Sequence, residues 1–225
     1  MKLWRSIFHS DKYRPAYWEG YKKSLRQCCA SHLPLEQVRF VVYDTETTGL
    51  DPSSDSVLSI GAIGVKGGAI HVQDSFECVV HQAQVSRESI SVHGLTPGRV
   101  LAGIPEKEAI HTFINYIKGS VLVAHHAAFD RAVINNTIKK HYHAKLLNKI
   151  LDTATLAIRL EKFGHPPESV RREEYTLDAL CKRYNIRAHD RHTAPGDSFI
   201  TAQLFQKLLR LAHKRGIKTL GDLLG

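Results

Sequence analysis

The stretch "VVYDTETTGL", residues 41 to 50, runs three apolar or aromatic residues straight into an aspartate and, two positions later, a glutamate. A run of this kind reads as a buried strand, in which residues i and i+2 share one face. Asp44 and Glu46 therefore project side by side if the strand continues that far. Two adjacent carboxylates at the end of a buried strand repel each other unless cations, protons or solvent intervene. A strand end that is merely solvated, or paired with Lys or Arg, satisfies the pattern. So does a hard divalent cation, which takes oxygen ligands and leaves positions for water and phosphate.

The rest of the chain supplies an α/β frame around this strand. Val38 to Tyr43 is the strand itself, Val57 to Lys66 a second, and Ala69 to Val80 a third, with "KGG" at 66 to 68 as a hairpin turn. Ile110, Phe113, Ile114 and Ile117 then fall at helical spacing, after Pro105 in a first turn and before Gly119 as a C-terminal cap. "VLVAH" at 121 to 125 predicts a short strand leading into a helix from Ala127 to Tyr142. A further strand ends at Leu151, with a helix through Leu160. "GHPPESVRREEY", 164 to 175, reads as a loop. Helices follow at Leu177 to Tyr184 and Asp197 to Lys214, the last with Ile200, Leu204, Leu208 and Leu211 in one stripe. Strands first, then strands alternating with helices, predict one α/β domain over 38–213.

Residues 1–37 differ from this frame. They carry both tryptophans and seven Lys or Arg, and predict a partly helical extension that packs on the domain or docks a partner. Residues 214–225 are read as a C-terminal tail. Lys plus Arg total 31 against 22 Asp plus Glu, a net charge of +9 that favours polyanionic partners. Lys139, Lys140 and Lys145 could track a phosphate backbone or form a solvated helix face. The four cysteines, at 28, 29, 78 and 181, have no C-x-x-C spacing, so reduced thiols and a cytoplasmic address are the expectation. No span of about 18 apolar residues is present, and the amino terminus meets Arg5, His9 and Asp11 before any signal-like apolar run. Neither a G-x-x-x-x-G-K-[ST] phosphate loop nor a G-x-S-x-G elbow occurs.

Three motifs change the reading of the two acids. "DTETTGL" is followed by "AHHAAFD" at 124 to 130 and "HTAPGD" at 192 to 197. With Asp44 and Glu46 in the first, Asp130 in the second, and His192 five positions before Asp197 in the third, the chain resembles the DEDDh, DnaQ-like 3′-to-5′ exonucleases. That group includes the epsilon proofreading subunit of bacterial replicative polymerases and the RNase T-type nucleases. The resemblance spans about residues 38 to 213, and "SVHGLT" at 91 to 96 and "LDTATLA" at 151 to 157 also look like family segments.

The resemblance implies an RNase H-like fold, a mixed central sheet flanked by helices, with the helical extension added. It implies two divalent metal ions, Mg²⁺ or Mn²⁺, held by Asp44, Glu46, Asp130 and Asp197, with His192 as general base. Imidazole, with an ordinary pKa of about 6.5, suits proton transfer near neutrality. By the same resemblance Thr47, Thr48, Gly49 and Leu50 hold the terminal nucleotide, with Leu50 against a base, and His93 lies near it. His126 departs from the family, which commonly has asparagine there, and this puts a nucleotide hydrogen bond in question. Asp152 is expected to support the site without binding metal.

The implied activity is hydrolysis at the 3′ end of single-stranded or frayed nucleic acid, DNA first, releasing nucleoside 5′-monophosphates. RNA trimming or oligonucleotide degradation is the alternative, and a non-catalytic binding module the rival from another class. Proofreading requires a polymerase partner, for which the extension is a candidate contact. Homodimers also occur among relatives.

Overall fold

The computed structural model describes residues 17–83, 87–162 and 171–225. Expectations for residues 1–16 of the extension and for most of the 164–175 loop lie outside the described residues. Of that loop, Arg172–Tyr175 forms a short 3₁₀ turn.

A five-stranded mixed sheet organises the domain. Its strands are β1 (Phe40–Thr47), β2 (Val57–Lys66), β3 (Ala69–Val79), β4 (Val121–Ala124) and β5 (Ile150–Asp152). Their order is β3-β2-β1-β4-β5, antiparallel across β3, β2 and β1 and parallel from β1 to β4 to β5. β1 lies at the centre, and its first four residues are buried. The strand does continue through both acids, which the apolar run alone left conditional. Gly67 and Gly68 take positive φ in the β2–β3 turn, as the glycine pair requires.

Period-2 alternation along β1 sorts the two cores. Phe40 and Val42 pack on one face with Leu204, Phe205 and Leu208 of α8 (Ala194–Lys214) and with α6 (Thr153–Glu161) and α7 (Leu177–Arg183). Val41 and Tyr43 pack on the other with Ile110, Phe113 and Ile114 of α4 (Glu106–Tyr116) and Val133, Ile134 and Ile138 of α5 (Ala128–Tyr142). Helices thus cover both faces, which is why β1 reads as a continuous apolar run before its acids.

Three stretches depart from the sequence reading. α8 begins at Ala194, earlier than expected, because Thr193 caps it by accepting from the Gly196 N–H and Pro195 is tolerated in a first turn. Two short helices, α2 (Arg87–His93) and α3 (Pro97–Leu101), occupy a region without assigned structure; neither is long enough to display a helical period. Residues 214–225, read as a tail, contain α9 (Leu220–Leu224), with Leu220 and Leu223 buried and Thr219 and Asp222 forming a capping box. Within the extension, α1 (Tyr17–Cys28) buries Trp18 and Tyr21 in the α4/α5 core, and the Tyr21 hydroxyl bonds Asn148.

Candidate active site

The alternation that sorts the cores also sorts the acids. Asp44 and Glu46 continue the face of Phe40 and Val42, toward α8. Thr45 faces α5. From the α8 side comes Asp197, in the first turn of that helix, and carboxylate oxygens of Asp44, Glu46 and Asp197 all lie within 4.8 Å of one another. From the α5 side comes Asp130, also in a first helical turn, whose Oδ1 accepts from both the N–H (3.0 Å) and the hydroxyl (2.7 Å) of Thr45. Asp130 is therefore held on Thr45, the residue between the two β1 acids. Both helix N-termini direct their positive dipole ends at this acidic end of the strand.

Close approach at this point depends on a glycine. Gly61 of β2 is the cross-strand partner of Asp44. A Cβ there would stand 2.3 Å from the backbone of Ala194 and Pro195. Its absence lets the start of α8 lie against the sheet beside Asp44. Gly196 has a similar part: a Cβ would meet the Asp190 carbonyl oxygen at 2.0 Å.

Electrostatics follow from the crowding. Burial, with Asp130, Glu46 and Asp197 nearby, holds the Asp44 carboxyl well above its usual range. Burial first, and then the Asp197 and Asp130 charges, push Glu46 up to about 7. Asp130 is raised to about 6 by burial, opposed by its bonds from Thr45. Such a cluster is unstable as a set of bare anions. Its oxygen donors, crowding and partial exposure fit hard divalent cations, and Asp44, Glu46 and Asp197 are the residues placed to share one, with Asp130 behind them.

His192 takes a left-handed backbone, φ 60°, as does Asp190 at 54°. Its N–H donates to Asp197 Oδ2 at 3.1 Å, and the residue is exposed. His126 is likewise left-handed, φ 54°, and exposed, with its ring 4.3 Å from that of His125. Histidine, like the asparagine common in the family, is among the residues that populate this conformation. Asp152 accepts from the Ala127 N–H (2.7 Å) and the Thr155 N–H (3.0 Å), tying the turn before α5 to the start of α6. It supports the Asp130 helix from behind.

The turn after β1 is built from its own side chains. The Thr47 hydroxyl donates to Gly49 O, and that of Thr48 to Asp55, which also accepts from the Asp51 N–H. The Thr47 and Thr48 hydroxyls are thus engaged within the loop, while Leu50 is 91% exposed. His93 is buried: its Nδ1 accepts from the Leu95 N–H, so the neutral ring carries its proton on Nε2, which has no partner. A cavity of about 290 Å³ joins His93 to Glu46, Arg99, Thr193 and Pro195.

Two residues absent from the sequence reading stand in this site. Arg191 donates through Nη1 to Asp197 Oδ1 and through Nε to Asp178 Oδ1 at 2.8 Å. Arg191 lies in the turn before α8, and Asp178 in the first turn of α7, so no local motif joins the two.

Comparisons with known proteins show the family and the fold. The exonuclease family model RNase_T matches residues 41–205. A DNA polymerase III subunit epsilon-like protein of Rhodobacter capsulatus is 34% identical over 198 residues, covering 85% of this chain and 26% of that protein. The PolC-type DNA polymerase III of Bacillus subtilis is 32% identical over 191 residues, 84% of this chain and 13% of that one. The chain thus spans about a quarter or less of these relatives. Among solved structures, E. coli exonuclease I in complex with a dT13 oligonucleotide superposes with a TM-score of 0.65 at 16% identity, over 80% of this chain and 42% of that one. Exonuclease X in complex with 5′ overhanging duplex DNA gives 0.59 at 25% identity, over 84% and 99%. The chain belongs to the RNase_T, DnaQ-like exonuclease family and carries that family's RNase H-like fold.

Proposed function

We propose that the protein is a metal-dependent 3′-to-5′ exonuclease acting on single-stranded or frayed DNA ends and releasing nucleoside 5′-monophosphates. The observation that carries this reading is the meeting of Asp44, Glu46 and Asp197 within 4.8 Å, with Asp130 held behind them on Thr45. Relatives named as DNA polymerase III components and neighbours solved with DNA support DNA as the substrate class.

In this reading Asp44, Glu46, Asp130 and Asp197 hold two divalent cations, Mg²⁺ or Mn²⁺. Such ions, when bound, activate water at neutral pH and stabilise charge on the attacking and leaving oxygens. The protein's own groups do the rest. His192, exposed beside Asp197, takes the proton of the attacking water on an imidazole nitrogen. Leu50 offers an apolar surface to the terminal base, and the Thr47–Gly49 turn, His93 and His126 line the nucleotide's approach. The His93 Nε2–H is a buried donor without a partner, suited to an acceptor on that nucleotide. A polymerase partner through residues 1–37, and a homodimer, belong to the same reading. No helix among the described residues is long and apolar enough to cross a membrane.

The test is incubation with 5′-labelled single-stranded DNA and RNA of equal sequence, with Mg²⁺ or Mn²⁺, beside Asp44→Ala and a chelator. Stepwise 3′ shortening, faster on DNA and abolished in both controls, is expected. His192→Ala should slow it by roughly 10²- to 10⁴-fold while manganese binding persists. Folded, metal-loaded protein that shortens neither substrate would point to a binding module instead.

A further inference from the structure

A cluster of three carboxylates within 4.8 Å needs positive charge, and in this structure the protein supplies some of its own. The Arg191 guanidinium spans two helix starts, with Nη1 on Asp197 in the first turn of α8 and Nε on Asp178 in the first turn of α7. The two ends differ in environment. The Asp197 side chain is 10% exposed and that of Asp178 70%. A charge-assisted bond is strong at the buried end and weak at the solvated one.

Both oxygens of Asp197 are occupied as well. Oδ1 accepts from Arg191, and Oδ2 accepts from the His192 N–H. Each oxygen keeps a lone pair for a metal ion, but a cation that approaches Oδ1 meets the like charge of the guanidinium already seated on it. Because the guanidinium is a rigid plane, a change in the aliphatic torsions of Arg191 that pivots the plane on its Nε–Asp178 bond would carry Nη1 off Asp197 and leave the charge near the site.

We infer that Arg191 is an internal counter-cation that holds the acid cluster together before metal arrives, competes with metal for Asp197, and is parked on Asp178 when metal enters. The inference rests on the metal-binding reading above. It also links metal entry to His192, the next residue in the chain: Arg191 and His192 share one loop, between the left-handed Asp190 and the Thr193 cap. Release of Asp197 by Arg191 leaves the His192 N–H as the described donor that remains on that carboxylate, so the metal-bound acid holds the backbone of the proposed base. Arg191 is thus a positioning residue and makes no contact with substrate in this scheme.

Calorimetric titration of the full chain with Mn²⁺ tests it, using wild type, R191Q, R191K and, as a binding-deficient control, D44N. R191Q should bind Mn²⁺ roughly tenfold more tightly, because it loses a charge-assisted competitor. R191K keeps the charge but not the fork, so it should also bind more tightly than wild type. In chelator, R191Q should melt below wild type, with a larger recovery on adding Mn²⁺. Arg191 variants that bind Mn²⁺ no more tightly than wild type, where wild type binds and D44N does not, overturn the counter-cation role alone. Absence of Mn²⁺ binding by wild type overturns the metal site and this inference together. Should neither Arg191 variant fold, D178N decides: weaker Mn²⁺ binding, as the guanidinium settles fully on Asp197, supports the inference, and unchanged or tighter binding overturns it.

Discussion

Gly61→Ala tests whether the β2 glycine sets the acid geometry. Gly61 pairs with Asp44, and an added Cβ would lie 2.3 Å from backbone atoms of Ala194 and Pro195, where ordinary contact begins at 3.4 Å. Both obstacles are main chain, so no side-chain rotation relieves the overlap. The start of α8 must move about 1 Å from the sheet, and Asp197 moves with it. Overpacking of this kind costs about 1–3 kcal/mol, which for a domain of this size lowers Tm by about 2–12 °C. A 1 Å misplacement in a catalytic constellation costs roughly 100-fold in rate. The assay is single-turnover shortening of labelled DNA at saturating Mn²⁺, together with Mn²⁺ affinity and thermal denaturation. Gly20→Ala, in α1 with no neighbour within 4 Å of the added carbon, is the control and should retain the wild-type rate. A folded Gly61→Ala protein with wild-type rate and metal affinity would refute the reasoning that this contact aligns Asp197 with Asp44.

Other outcomes follow from the same geometry. Glu46 has a folded pKa of about 7 against an ordinary 4.5, so its contribution to stability is fully present below 4.5 and lost as pH rises through about 7. In chelator, wild type should therefore lose thermal stability relative to Glu46→Gln between those pH values, and Mn²⁺ should abolish the difference; parallel melting curves across pH would refute the assignment. Leu50→Ala should raise KM for single-stranded DNA several-fold while leaving Tm unchanged, since the side chain is 91% exposed and packs on nothing. Trp18→Ala should destabilise the domain by about 3–5 kcal/mol, measured by denaturant unfolding, because α1 buries this ring among α4 and α5 residues.

Much of the frame was legible because its signals are local. The apolar run at 41 to 43, the hairpin glycines at 67 and 68, and the helical spacing from Ile110 to Ile117 each act within one element, and the elements formed where those signals placed them. The order of the acids was equally local, as three short motifs. Short helices such as α2 and α3, and the start of α8, escaped because capping and packing over a few residues leave no period to read.

What the chain by itself determined is which groups are available: a strand that ends in Asp44 and Glu46, and helix starts that carry Asp130 and Asp197. Tertiary structure decided which of them meet, and how. Alternation along β1 sends Asp44 and Glu46 toward α8 and turns Thr45 to Asp130, but only the packed sheet sets those helices on opposite faces. Gly61, an unremarkable strand glycine in sequence, admits the α8 backbone. Arg191 reads as one more charge in a basic chain until folding brings Asp178 and Asp197 from two helices to its two ends. Period and propensity act over a few residues, whereas repulsion among acids and the cation that relieves it depend on distances that only the closed fold creates.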